Sequence, residues 1–363
     1  MQSRRVTSSP IAIQLFLTKQ CNLKCSYCSA DAFLINEREP ELRTDEWTNL
    51  LRRLKEIQVF DLAFSGGEIF LREDIFTILE TAVKCSFPKI KLTSNGTLIS
   101  NDIAKQIKTI NFLNIEISLD GDKETHDQIR GPGSFNKTIQ GIKHLIDNGI
   151  VPNIRFTPLK SNYRKLIELL DILFSFGIKK ISLNALHPTG RCNKIYEDIM
   201  LDCFVEAAEL KTILFDLRKK YDDLKTSDIE TFYKDLPGNY EKIKSSDQKV
   251  QQLKPCSAAH SSCSITSSGW VIPCSELFDF RGGNIRDQDI LDIWKHSEAF
   301  AKIRALSDVS SDQIPYCKNC LYNVLCNSGC RADAYAVYAD LFAPDPFCPY
   351  WKDQKEQGCL RIT

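Results

Sequence analysis

Residues 11–28 read IAIQLFLTKQCNLKCSYC, an apolar run that ends in three closely spaced cysteines. IAIQLFLT (11–18) has the composition and length of a β-strand, and the loop after it carries Cys21, Cys25 and Cys28 in a C-x₃-C-x₂-C spacing. Three thiolates on one tight loop can hold three irons of a cubane [4Fe–4S] cluster, which takes four ligands in all. The fourth iron is then left with an open position, which is what a metal site needs to bind a substrate or cofactor directly. A zinc loop with a distant fourth ligand is the alternative, although zinc motifs usually come as paired C-x₂-C units.

Outward from this loop, short apolar strands alternate with amphipathic helices. TDEWTNLLRRLKEIQ (44–58) predicts a helix with Thr44 as N-cap and Trp47, Leu50, Leu51, Leu54 and Ile57 on one face. FDLAFS (60–65), KIKLTS (89–94), LNIEISLD (113–120), NIRFTP (153–158) and KISLNAL (180–186) predict further strands, with helical patterns between them. Six β units with intervening helices imply an α/β fold with a parallel sheet and right-handed crossovers. In 113–120, Leu113, Ile115, Ile117 and Leu119 share one face, while Asn114, Glu116, Ser118 and Asp120 share the other. Lys91, Thr93 and Asn95 repeat that polar face, as do Asn153, Arg155 and Thr157. A parallel strand buried on both faces should be nearly all apolar. A polar face therefore predicts a curved partial (β/α)6 barrel whose interior holds a polar ligand, rather than a closed eight-stranded barrel with a packed apolar interior.

The expected organisation is a flexible start (1–10), the partial barrel (11–196), a helical bridge (197–250) and a small metal-organised domain (251–363). Helical patterns over 198–221 and 228–244 carry many charged residues and lack strand signals. The chain has 47 Lys+Arg against 47 Asp+Glu, a balance that leaves no electrostatic footprint for nucleic acid or a membrane surface. The start is too short and too polar for a signal peptide or spanning helix, so the expectation is a soluble cytoplasmic protein. Fifteen cysteines in a chain of 363 residues, an odd number at clustered spacings, fit metal ligation better than a disulfide framework.

The second cysteine group runs Cys256-x₆-Cys263-x₁₀-Cys274, then Cys317-x₂-Cys320-x₅-Cys326-x₃-Cys330, then Cys348. Eight cysteines are enough for two fully ligated Cys₄ clusters, though zinc would also satisfy the count and spacing alone does not pair them. Cys85 and Cys359 read as ordinary residues and Cys203 as packed in a helix; Cys192, after the last barrel strand, is open to a catalytic role. Ser65-Gly66-Gly67-Glu68 ends the second strand, where bare glycines let backbone approach a ligand and Glu68 can accept a bond from an ammonium group. Thr93-Ser94-Asn95-Gly96 and Ile117-Ser118-Leu119-Asp120-Gly121 end the third and fourth strands, where parallel α/β folds bind ligands. His126 and Asp127, shortly after, read as helix-start capping residues.

Together these stations resemble the radical S-adenosylmethionine (SAM) superfamily: the three-cysteine loop with an aromatic residue, Tyr27, before its last cysteine, the Gly66-Gly67-Glu68 motif, and the segment Thr125–Gly131 after strand four. Ile69 departs from the usual proline after the glutamate. The resemblance implies that Tyr27, Gly66, Gly67, Glu68, Asn95, Ser118, Asp120 and Arg130 bind SAM, with Glu68 near its amino group and Ser118 and Arg130 at its ribose and carboxylate. His187-Pro188-Thr189-Gly190-Arg191 would line the barrel mouth. The C-terminal run resembles the SPASM domain, including Gly269 before Cys274, and Gly283-Asn284-Ile285 followed by Ile293-Trp294. That implies a first auxiliary cluster on Cys256, Cys263, Cys274 and Cys330, and a second on Cys317, Cys320, Cys326 and Cys348. The cofactors implied are three [4Fe–4S] clusters and SAM, cleaved reductively to a 5′-deoxyadenosyl radical.

The resemblance favours a ribosomally made peptide or protein as substrate, as for the pyrroloquinoline quinone precursor cross-linking enzymes. It also implies an electron donor such as flavodoxin or ferredoxin. With the barrel starting at residue 11, a separate leader-peptide recognition protein is the expectation. Anaerobic sulfatase maturases share the architecture, but carry an aspartate after the third auxiliary cysteine where this chain has Ser275 and then Glu276. Oxidative modification or decarboxylation of a small molecule or tetrapyrrole is the alternative activity. An electron-transfer or scaffold protein is the alternative outside enzymes.

Overall fold

The computed structural model describes residues 6–30, 39–112, 114–202, 205–226, 256–306, 314, 317–318, 320 and 328–348. Six parallel strands form its centre: β1 (Ala12–Phe16), β2 (Asp61–Ser65), β3 (Lys89–Ser94), β4 (Ile115–Ser118), β5 (Asn153–Phe156) and β6 (Lys180–Leu183). They pair in sequence order, so each helical crossover returns the chain to the next strand on the same side. All six expected strands form, with those at 113–120, 153–158 and 180–186 ending two or three residues early because their last residues turn into the loops of the site. Leu113 lies outside the described residues.

The alternation within the strands sorts the two faces. Ile13, Leu15, Leu62, Phe64, Leu92, Ile115, Ile117, Ile154 and Phe156 are buried in one continuous core against the helices. On the opposite face, Glu116 accepts from Asn153 Nδ2 (3.1 Å) and Arg155 Nη1 (2.9 Å), and Asn153 Nδ2 also reaches Ser182 Oγ (2.8 Å). Burial opposes charge on Glu116, but Arg155 and Lys91 outweigh it and hold its carboxyl below the ordinary range. The expected polar interior is thus a paired network spanning β3 to β6.

The helix Thr44–Glu56 buries Trp47, Leu50, Leu51 and Leu54, as its periodicity requires. Its N-cap is Arg43 rather than Thr44: the Arg43 amide donates to Glu46 Oε2 (2.7 Å), and Thr44 Oγ1 donates instead to Asp74 (2.6 Å). Of the expected helix-start capping residues, Asp127 serves the next helix and His126 does not cap the helix Lys123–Arg130. Asp122 caps it, His126 is buried inside it, and Asp127 accepts from Gly133 N, Ser134 Oγ and Phe135 N at the start of the next helix, Ser134–Asp147.

Residues 197–250 differ from a purely helical bridge. The helix Glu206–Lys220 leads into β7 (Lys225–Thr226), which pairs parallel with β6; the expected helix at 228–244 lies outside the described residues. After residue 256 the chain rejoins the sheet. β8 (Ser262–Ile265) pairs parallel with β1, and β9 (Trp270–Ile272) and β10 (Gly283–Asn284) follow antiparallel. Ile265, Val271, Trp294 and Phe300 belong to the same core as the barrel strands. Arg53–Asp289 (2.7 Å) and Arg286–Glu46 (2.6 Å) pin this segment to the helix Thr44–Glu56. Among the described residues no helix is long and apolar enough to cross a membrane.

Candidate functional site

The site is built at the carboxyl ends of β1 to β6, beginning where the cysteine loop leaves β1. Gly66 and Gly67 set how closely the end of β2 approaches that loop. The Gly67 and Glu68 amides donate to Thr18 O and Gln20 O, both at 2.7 Å. A Cβ on Gly67 would lie 2.0 Å from Gln20 O, and one on Gly66, whose φ is +151°, would lie 2.5 Å from Thr18 O. Gly67→Ala must therefore push the loop off β2. The expected cost is about 1–3 kcal/mol, with about four fewer irons bound per chain, read by thermal melting and iron analysis.

Glu68 is fully buried. One carboxylate oxygen accepts from Ser94 Oγ (2.9 Å) and Phe70 N (3.3 Å), the other from Asn95 N (2.8 Å). Burial dominates and raises its pKa. Glu68 thus ties β2 to the end of β3. Asn95 in turn donates to Asn22 Oδ1 (2.9 Å) on the cysteine loop.

Asp120, at the end of β4, has no exposed surface. It accepts from Arg130 Nε (2.6 Å), Tyr27 Oη (2.7 Å) and Thr157 N (3.2 Å). Arg130 Nη2 donates to Tyr27 Oη (2.6 Å), and its Nη1 lies 3.8 Å from Cys25 Sγ. Burial pushes the Tyr27 phenol well up and keeps it neutral. Burial disfavours the Arg130 charge, but Asp120, Tyr27 and Cys25 outweigh it and hold the guanidinium firmly ionised. Asp120 and most of Arg130's donors therefore bind the cysteine loop to β4, while Ser118 stays half-buried at the strand end.

His126 Nδ1 accepts from Asp120 N (3.1 Å), and its buried Nε2 has no hydrogen-bond partner among the described residues. Burial, helped by Arg130, lowers its pKa from 6.5 to about 4. The unfolded chain therefore binds a proton between pH 6.5 and 4 that the folded chain does not. Stability should fall by about 3 kcal/mol as pH drops through that window. Urea unfolding at pH 7 and pH 4.5 should show this loss, and His126→Asn should flatten the dependence.

Cys25 and Cys28 both lie close enough to Cys21 to oppose its ionisation. Burial lifts the Cys21 thiol to about 11, so without metal it stays protonated at neutral pH. Binding iron would displace that proton. The loop is also held from β6: Arg191 Nε donates to Cys25 O (3.0 Å) and Arg191 N to Cys28 O (3.1 Å). A loop fixed from three sides, with three thiols close in sequence, fits a cluster held by Cys21, Cys25 and Cys28.

Further along the chain, Cys274 neighbours Cys256 and Cys330, and burial raises the thiols of Cys274 and Cys330. This grouping fits a second thiolate site. Cys263 sits on β8. Its register partner on β1 is Ile13, it lies in the apolar core, and the charged group beside it is Arg304. Cys317 and Cys320 share a turn, with Cys320 N donating to Cys317 O (3.1 Å); Cys326 lies outside the described residues. Cys192 is buried against Ile129, Leu159, Leu186, Tyr196 and Met200, and burial lifts its thiol to about 12, which leaves it a neutral core residue.

Sequence reading did not assign the partners of the 187–193 loop. His187 Nδ1 lies 2.9 Å from Asp333 Oδ1, and Thr189 Oγ1 donates to Glu276 Oε2 (2.6 Å). Burial works against charge on His187, but Asp333, Glu276 and Asp345 lift its pKa to about 10. The HPTGR motif marked this loop as a barrel-mouth segment; its partners lie 87 and 146 residues away, beyond any local signal.

The Radical SAM superfamily model matches residues 15–173, and the SPASM iron–sulfur cluster-binding domain matches 256–321. An AdoMet-dependent heme synthase from Methanosarcina barkeri is 29% identical over 96% of this chain and 99% of its own length. The mycofactocin maturase MftC of Mycolicibacterium smegmatis is 28% identical over 96% of this chain and 84% of its own. Streptococcus suis SuiB bound to its precursor peptide SuiA has the same fold, with a TM-score of 0.76 and 21% identity over 94% of this chain and 76% of SuiB. The chain belongs to the radical SAM superfamily, carries a C-terminal SPASM domain, and is an enzyme of that chemistry.

Proposed function

We propose that the enzyme binds three [4Fe–4S] clusters and SAM and modifies a ribosomally made peptide or protein side chain. The convergence of Cys21, Cys25 and Cys28 at the barrel mouth, anchored by Gly67, Arg130 and Arg191, carries this reading. Loaded with cluster and SAM, such a site supplies the 5′-deoxyadenosyl radical for hydrogen-atom abstraction. Arg130 keeps positive charge beside Cys25, and the Glu116–Arg155 network offers the polar interior that a bound ligand would face. MftC, named as a maturase, supports the peptide. An electron donor such as flavodoxin or ferredoxin, and a separate leader-binding protein, complete the proposal.

A tetrapyrrole substrate is the second reading, favoured by the heme synthase match across 99% of that protein. The test is anaerobic incubation of the reconstituted enzyme with SAM, a reductant and either genome-neighbour peptides or iron porphyrins, followed by mass spectrometry. A mass change in a peptide, coupled to deoxyadenosine release, is the expected result. Turnover of porphyrin alone would move the assignment to the second reading.

A further inference from the structure

We propose that the amino-terminal end of the barrel sheet carries a second binding site, remote from the cysteine loop, for a small phosphate monoester.

A cavity of about 460 Å³ lies there, against the first residues of four strands: Ile115 of β4, Asn153 of β5, Lys180 of β6 and Lys225 of β7. The site described above uses the opposite, carboxyl ends of the strands. A cavity of this size suits a small organic ligand. Three lysines line it, and the carboxylate among its lining residues, Asp223, is already held by Lys179 at 2.6 Å. The positive charges of Lys180 and Lys225 are left over, since neither side chain has an ion-pair or hydrogen-bond partner among the described residues.

Strand pairing makes this excess charge costly. β7 joins the sheet through two register pairs with β6, and one of them is Lys180 with Lys225. Register partners send their side chains out on the same face of the sheet, about 4.8 Å apart. Like charges set opposite one another there weaken the pairing. Local conflicts of this kind gather where a ligand is bound. A phosphate placed between the two ammonium groups replaces their repulsion with charge-assisted hydrogen bonds.

Asn153 supplies an independent observation. It is only 5% exposed, and its Nδ2 is committed to Glu116 Oε1 (3.1 Å) and Ser182 Oγ (2.8 Å). Turning the amide over would set its oxygen against the Glu116 carboxylate. Oδ1 therefore stays on the other arm of the amide, where it has no hydrogen-bond partner among the described residues. A buried amide oxygen without a donor costs free energy, which a hydroxyl or amino group entering the cavity would relieve. A phosphate for the two lysines and a donor-bearing body for Asn153 together describe a phosphate monoester of a hydroxylated small molecule.

The probe is ribose 5-phosphate, added to the full chain reconstituted anaerobically. Binding is read by isothermal titration calorimetry and by thermal melting, with ionic strength held constant by chloride. Saturable binding and a higher melting temperature are expected, neither of them reproduced by ribose. Lys225→Gln should weaken binding about tenfold or more. Without ligand it should melt no lower than the unaltered protein, because its repulsion with Lys180 is gone. Lys225→Glu should abolish binding, and Lys225→Arg should retain it. Undiminished binding in both Lys225→Gln and Lys225→Glu would overturn the site, as would a melting shift that chloride alone reproduces. A response to succinate but not to ribose 5-phosphate would overturn the phosphate assignment. None of these readouts uses SAM cleavage, so a negative result would leave the reaction proposed above as it stands.

Discussion

Cys25→Ala should abolish deoxyadenosine formation from SAM and lower the bound iron by about four per chain. Cys25 is the cysteine of its loop that lies beside the Arg130 guanidinium, at 3.8 Å, and its carbonyl is held by Arg191. Removing the thiol leaves two ligands for a cubane that takes four. The fold should survive, because Cys25 is only half-buried and lies outside the apolar core. Circular dichroism should be unchanged while the iron count and the deoxyadenosine assay both fall. Residual SAM cleavage at more than background would show that the radical-generating site lies elsewhere.

The second large effect is expected at Asp120. Asp120→Asn removes the charge that faces Arg130 in a pair with almost no solvent access. Breaking one side of a buried pair costs about 3–5 kcal/mol, since the partner is left as an uncompensated charge. Thermal melting should show a large loss of stability. The double variant Asp120→Leu, Arg130→Leu should recover much of it, because neither charge is then stranded. That double variant should still fail in deoxyadenosine release, because Tyr27 and Cys25 lose the group that ties them to β4. Full recovery of activity along with stability would make the pair a purely structural device.

The three-cysteine loop, the strand periodicities and the polar interior face are local facts of composition and spacing, and they were legible directly. A strand shows its period of two whatever it packs against, and a tight loop brings its own cysteines together. Glu68 was legible as a member of a motif, but its protein partners were not. That its carboxylate meets Ser94 and Asn95 depends on how β2 and β3 meet. Asp127 does cap a helix start, but of the next helix, while His126 is buried against Asp120 N; which element each residue meets is again a tertiary matter.

The C-terminal segment shows the division most clearly. Counting its cysteines gave enough ligands for two clusters, and resemblance placed Cys263 among them. The pairing of β8 with β1 adds what the count does not show: parallel register sends alternate side chains to opposite faces and sets Cys263 beside Ile13. In the same way His187 and Asp333, 146 residues apart, became neighbours only when the loop after β6 met the helix Arg331–Tyr338. What the sequence determined by itself was the chemistry available: thiols at cluster spacing, on a parallel α/β frame with a polar interior. What only the tertiary structure decided was which of those groups face one another, since long-range pairing and strand register are set by burial of the common core and leave no signature in local spacing.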